Sequence, residues 1–304
     1  MLIKVGVGGK ALTRRLQEYR IPMPLTLEEY QRGQLFSVCE ASKNETGGGE
    51  GVEIVKQEPF TSTTLRPGYT LSGTYTYKIY RLRSKIPWFY RKLLPETAMV
   101  LHEEAYNAFP YCQTTITNPG YMKDNFHIVV KSVHVANDAG GLENALEADA
   151  GTLGQREVVH LDILDSSVLK PTASGRSFPL IPSFLSLQDV TPQTDPLTFA
   201  SAASKRGPLR AGWTGSGEFP VMCAYKLVTA HFKWFGLQTK VEKNIHSNYP
   251  RLFVKFHREL WCWQDKWFGL TLENIRQLEA ETVNVLRKQQ SQGAVRGMAA
   301  DEAP

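Results

Sequence analysis

The 304-residue chain is poor in cysteine, and its four copies (Cys39, Cys112, Cys223 and Cys262) are scattered without any C-x-x-C spacing. That pattern excludes a zinc-ribbon site and a disulfide framework, and it fits the reduced thiols of a cytosolic protein. No apolar run approaches the eighteen or so residues of a membrane span, and the first residues lack a hydrophobic segment followed by a cleavage site. A soluble, unsecreted protein is expected. Charge of one sign is not concentrated either. The net charge of +5 and pI near 8.9 come from dispersed Lys and Arg, so no nucleic-acid partner is expected. At most they give a weak attraction to anionic membrane surfaces. Two enzyme motifs come close and fail. Lys43-Asn-Glu-Thr-Gly-Gly-Gly-Glu-Gly51 lacks the Gly-Lys-Ser/Thr of a P-loop and follows no strand, so its glycines are expected to supply positive φ in a turn. His102-Glu-Glu-Ala-Tyr106 has a tyrosine where the second histidine of H-E-x-x-H must stand. No metal or cofactor is expected.

What the chain does have is apolar side chains, 42% against 21% charged, enough for one domain with a substantial core. Residues 223–267 organise it. Cys223-Ala-Tyr-Lys-Leu-Val-Thr-Ala-His-Phe-Lys-Trp-Phe235 reads as a strand with Ala224, Lys226, Val228, Ala230, Phe232 and Trp234 on one face. Lys226 is a lone cation in that aliphatic row, and an ammonium desolvated without a partner costs several kcal/mol. The face must be wet there or must receive an anion. After Gly236, apolar residues at 237, 241, 245, 249, 252, 253, 256, 260, 263 and 267 trace one helical stripe roughly 45 Å long, with Pro250 as the expected kink or break.

In chain order, residues 1–16 are basic and free of acids and are expected to be a disordered extension, an appended or mispredicted start rather than a mitochondrial presequence. Glu18–Met23 reads as a strand, and Thr26-Leu-Glu-Glu29 has the spacing of a capping box opening a helix with Gln34 as the polar member of its apolar side. Val52–Lys56 is a strand, and the stretch from Pro59 to Gly73 is expected to be a loop. Tyr75–Arg83 alternates as a strand that points Thr76 and Lys78 the same way. Pro87–Leu94 is a short amphipathic segment with adjacent aromatics suited to a membrane interface. Strands are expected from Tyr111, with Cys112, Thr114 and Ile116 on one face, over Phe126–His134, and over Val158–Leu164. An irregular stretch follows, rich in Ser and Pro, with Ser201 and Ser204 near basic residues. Thr271 then caps a second helix marked by Ile275, Leu278, Thr282 and Leu286, with Glu279 beside the stripe. The expected boundaries are an extension over 1–16, one domain over 17–288 and a polar tail over 289–304. The pattern as a whole is that of an α+β protein whose curved sheet and long helices enclose a cavity.

Several strings resemble the phosphatidylinositol transfer proteins of class I, the soluble single-domain members. They are Ala41-Ser-Lys-Asn-Glu-Thr-Gly-Gly-Gly-Glu-Gly-Val-Glu53, Tyr75-Thr-Tyr-Lys-Ile-Tyr80, Asn107-Ala-Phe-Pro-Tyr-Cys112, Arg206-Gly-Pro-Leu209, Met222-Cys-Ala-Tyr-Lys-Leu-Val-Thr229 and Lys233-Trp-Phe-Gly-Leu-Gln238. Phe256-His-Arg-Glu-Leu and Gly297-Met-Ala-Ala-Asp301 match as well. The resemblance spans roughly residues 17–304. It implies a START-like, helix-grip fold with a mostly antiparallel sheet around one phospholipid. It places inositol contacts on Thr76, Lys78, Asn107 and Glu279, and phosphate contacts on Gln34, Thr114, Lys226 and Ser132, the last where the family commonly has threonine. Cys112 matches the family's cavity cysteine and Phe256 an aromatic associated with choline-lipid binding. Trp234 and Phe235 fall on the membrane-docking pair, with Phe as a departure, and Ser201 falls on a phosphorylation position.

The function implied is a monomeric, non-enzymatic carrier. It would hold phosphatidylinositol or phosphatidylcholine, exchange it between membranes, stay cytoplasmic and associate only transiently with their surfaces. A phosphoinositide sensor that presents its lipid to a lipid kinase without net transfer is the alternative. From another class, a hydrolase using Cys112 with His102 or His160 is the rival, without a nucleophile motif to support it.

Overall fold

The structure, a computed structural model, describes residues 15–86, 88–169, 191–233 and 238–296. Among the described residues, eight strands form one sheet. They are β1 (Arg15–Met23), β2 (Gly51–Ser62), β3 (Leu71–Arg81), β4 (Val100–Ala108), β5 (Tyr111–Thr117), β6 (Phe126–Ala136), β7 (Arg156–His160) and β8 (Met222–Phe232). Their order is β2-β3-β4-β5-β6-β8-β1-β7, antiparallel at every pairing except the parallel β1·β7 pair at one edge. β1 therefore sits inside the sheet, between β8 and β7. The helices are α1 (Leu27–Glu45), α2 (Trp88–Leu93), α3 (Ala150–Gln155), α4 (Gln238–Cys262), α5 (Gln264–Trp267) and α6 (Leu272–Ser291). This is the α+β helix-grip arrangement. Alternation decides the faces: Tyr19, Ile21 and Met23 of β1 and Ala224, Val228, Ala230 and Phe232 of β8 are fully buried in the core.

Local chemistry explains the elements. Thr26 closes the capping box: its Oγ1 accepts from Glu29 N at 3.2 Å, and Glu29 Oε2 accepts from Thr26 N at 2.9 Å. Pro250 does not break α4, which runs on for three more turns. Proline withdraws the N–H that would have bonded the carbonyl of residue 246. That carbonyl instead lies 3.1 Å from the Tyr19 hydroxyl, whose one hydrogen it shares with Gln17 Oε1 at 2.5 Å, so β1 brings a polar partner to the gap in the helix.

Several boundaries differ from the sequence reading. β1 takes in Arg15 and Leu16, which the sequence pattern groups with the extension; residues 1–14 lie outside the described residues. β2 and β3 run through the expected 59–73 loop, leaving only 63–70 as their connection. Pro59 is tolerated because β2 is an edge strand, with no partner needed for a missing N–H. Gly73 is required because a Cβ there would lie 2.0 Å from Asn107 O. β7 covers 156–160 rather than 158–164. The glycine-rich stretch is the expected turn, with Gly48, Gly49 and Gly51 at positive φ, and residues 290–296 pack beside it. Gly49 N donates to Gln290 O at 2.9 Å, and Lys85 Nζ donates to Arg296 O at 2.6 Å. Residues 289–291 continue α6, so the start of the expected loose tail is ordered.

Candidate functional site

Between the inner face of the sheet and helices α1, α4 and α6 lies a cavity of about 380 Å³, where one water needs only on the order of 10–15 Å³. Its walls are mainly apolar, with Leu35 and Val38 from α1, Val52 and Ile54 from β2, Val130 from β6, and Leu252 and Phe253 from α4. Gln57 and Arg276, both exposed, mark where it reaches the surface.

Ten of the residues singled out from the sequence line this one space: Gln34, Thr76, Lys78, Asn107, Cys112, Thr114, Ser132, Lys226, Phe256 and Glu279. Strand register brings them together. Asn107 stands opposite Cys112, Cys112 opposite Ser132, and Ser132 opposite Lys226, a polar row across four adjacent strands. At about 4.8 Å between strands, the row spans roughly 14 Å. Thr76 and Lys78 follow on β3, with Lys78 opposite Glu103.

The polar groups divide into two sets. One is internally satisfied. Lys78 Nζ lies 2.9 Å from Glu103 Oε1, and the Tyr80 hydroxyl donates to Glu103 Oε2 at 2.7 Å. Glu279 accepts from Arg276 Nη1 at 2.7 Å and from Gln57 Nε2 at 3.3 Å, a bridge from α6 to the edge strand β2. Asn107 Oδ1 accepts from Cys112 Sγ at 3.3 Å. The other set is not satisfied. Lys226 is 7% exposed and no carboxylate among the described residues pairs with it; the face of Phe253, 5.5 Å away, is its near neighbour. Burial pulls its pKa from 10.5 down to about 8. Burial, reinforced by the charge of Lys226, also holds His134 well below the usual histidine range and lowers His257 to about 3. Neither histidine can serve as a counter-ion. Gln34 Oε1 is likewise buried and accepts no hydrogen bond among the described residues. Chemically, the cavity is an apolar chamber with an uncompensated cation, hydroxyls beside it, and a cluster of further donors and acceptors along β3, β4 and α6.

Other expectations fall elsewhere. Burial pushes the Cys112 thiol up to about 12. His102 is on the opposite face of the sheet, bonded to the Tyr77 hydroxyl, and His160 is on the edge strand β7, so the structure does not assemble a thiol–imidazole pair from them. Ser201 is buried outside the cavity. Its hydroxyl donates to Asp265 Oδ1 at 2.6 Å and accepts from Ser204 N at 3.0 Å. Trp234 and Phe235 lie outside the described residues. Glu103 escaped the sequence reading, although the signal was present: Glu103, Ala105 and Asn107 alternate on one face of β4.

Comparison with known proteins is extensive. Residues 14–284 match the family model described as phosphatidylinositol transfer protein. The chain is 45% identical over 289 residues to the phosphatidylinositol transfer protein beta isoform of Homo sapiens, covering 94% of this chain and 98% of that one. It is 40% identical over 275 residues to phosphatidylinositol transfer protein 2 of Dictyostelium discoideum, covering 90% and 95%. Membrane-associated phosphatidylinositol transfer protein 2 of Homo sapiens is 36% identical over 282 residues, which make up 91% of this chain but 19% of that protein. Among the described residues, no helix is long and apolar enough to cross a membrane.

Proposed function

The chain belongs to the phosphatidylinositol transfer protein family, and from that premise we propose that it carries one phosphatidylinositol or phosphatidylcholine molecule between membranes in this cavity. The observation that carries the reading is the Lys226 ammonium, buried against apolar walls with no carboxylate of its own. A lipid phosphodiester supplies the missing anion, and a charge-assisted contact is strong where water is excluded. Thr114, Ser132 and Gln34 complete the phosphate site, and Gln34 gains the donor its Oε1 lacks when a water or lipid hydroxyl enters with the cargo. Thr76, Lys78, Asn107 and Glu279, joined by Glu103, offer donors and acceptors to inositol hydroxyls that choline lacks. Cys112 and Phe256 line the space left to the rest of the lipid.

The work is done by enclosure, without a bond being made or broken. Each methylene hidden from water is worth about 0.8 kcal/mol, which removes most of the barrier to moving two acyl chains through the aqueous phase. Loading requires a way in. Docking of a monomer on a membrane surface through Trp234 and Phe235, and loosening of the Glu279–Gln57 bridge between α6 and β2, would open the mouth of the cavity. Such a carrier works from the cytoplasm and touches membranes transiently.

Vesicle-to-vesicle transfer tests the assignment. Lys78→Ala and Glu279→Ala should each cut phosphatidylinositol transfer by about 10- to 100-fold, the cost of 1.4 to 2.7 kcal/mol in lost headgroup bonds, while phosphatidylcholine transfer changes little. Equal loss of both lipids overturns the headgroup assignment. Lys226→Met should reduce both.

A further inference from the structure

His127 of β6 and His231 of β8 stand directly opposite each other on the outer face of the sheet, away from the cavity. Their rings stack with centroids 4.8 Å apart at an interplanar angle of 26°, and both residues are half-buried, within reach of solvent. The rung beneath them is firm. Phe126 pairs with Phe232 beside them, and Lys233 N donates to Asn125 O at 2.7 Å just beyond. We propose that this cross-strand pair is a two-histidine chelate for a borderline divalent transition ion, Zn²⁺ or Cu²⁺, that staples β6 to β8.

The geometry supports a single shared ion. At metal–nitrogen distances of about 2.0–2.1 Å, two nitrogens on one tetrahedral ion sit roughly 3.3 Å apart. Rings with centroids 4.8 Å apart and already inclined to each other need to close by about 1.5 Å at one edge, which the broad χ2 of histidine permits. Among the described residues, no group of three or more His, Cys, Asp or Glu side chains could hold a metal. The remaining positions therefore belong to water, and the site is exchangeable. Imidazole donors select Cu²⁺ and Zn²⁺ over the hard cations Ca²⁺ and Mg²⁺, which want oxygen. His102 supplies the internal control. It lies on the same rung, beyond Thr117 and two strands from His127, roughly 10 Å at the spacing of strands, and its Nδ1 is engaged by Tyr77. It cannot share the ion.

The test is calorimetric titration of the full chain with Zn²⁺, and of H127Q, H231Q, the double variant and H102Q. The chelate requires one equivalent bound by the unsubstituted protein and by H102Q. Either single substitution should weaken binding at least about tenfold, and the double variant should be no weaker than the singles, because the two ligands act as a unit. Binding kept in both single variants, or lost equally in H102Q, overturns the proposal. If the substituted proteins fail to fold, Cu²⁺ added to the unsubstituted protein decides by nuclear magnetic resonance. Paramagnetic broadening centred on residues 126–128 and 230–232 supports the site, and broadening centred elsewhere refutes it.

Discussion

Lys226→Met should make the lipid-free protein more stable while disabling it as a carrier. The side chain keeps an unbranched apolar stem and loses the ammonium, which has no counter-ion among the described residues. Burial moves the pKa from 10.5 to about 8, and at about 1.36 kcal/mol for each tenfold step in proton affinity the charged form costs the empty fold about 3 kcal/mol. The sign follows from linkage. The unfolded chain binds this proton more tightly, so between pH 8 and 10.5 it holds more protons than the folded chain, and stability rises with pH through that window. Below pH 8 the whole cost is present. Urea unfolding of delipidated protein should therefore find Lys226→Met more stable by about 3 kcal/mol at pH 7, with the advantage fading as the pH approaches 10.5. If the phosphate of phosphatidylcholine pairs with the Lys226 ammonium as proposed, loading the parent protein with that lipid should make the advantage at neutral pH vanish or reverse. A variant less stable than its parent at pH 7 when empty, or an advantage independent of pH, would refute the argument that an uncompensated cation defines the site.

Two further outcomes follow from contacts outside the cavity. Tyr19→Phe removes the hydroxyl shared by Gln17 Oε1 and the carbonyl of residue 246 and should cost about 1–3 kcal/mol; adding Pro250→Ala supplies that carbonyl with a backbone donor, so a double-mutant cycle of urea midpoints should show partial recovery rather than additive loss. Ser201→Ala should cost about 1.5–3 kcal/mol, the worth of a hydroxyl bonded to a carboxylate. Ser201→Glu should cost more because it sets a second carboxylate against Asp265; thermal unfolding with Ser201→Glu as stable as the parent would show that the buried contact is not what holds this loop.

The parts of the site legible in the sequence were those that periodicity could reach. Alternation alone put Thr76 with Lys78, Cys112 with Thr114, and Lys226 in an aliphatic row, and the capping box fixed where α1 begins. The grouping of those residues into roles came from family resemblance rather than from spacing. What stayed hidden depends on pairing between distant segments. The Lys78–Glu103 ion pair exists because β3 and β4 adopt one register, and the glutamate stands in a string that nearly matches a metalloprotease motif and whose strand alternation is therefore less conspicuous. The bridge from Gln57 to Glu279 joins an edge strand to a helix more than two hundred residues later. The extension of β2 and β3 through 59–73 was masked by Pro59, Gly73 and a run of serines and threonines that read as a loop; an edge position forgives the proline, and a close crossing over Asn107 demands the glycine.

The interior placement of β1 bears on how the molecule is made. Its neighbours in the sheet are β8, beginning at Met222, and β7, beginning at Arg156. A ribosome adding about 5–20 residues per second needs roughly ten to forty seconds to cover the 200 or so residues between β1 and β8. Through that interval Tyr19, Ile21 and Met23 have no strand of β8 to lie against. β1 thus waits for a strand made about 200 residues after it, and nascent chains halted short of β8 should be ready clients for chaperones.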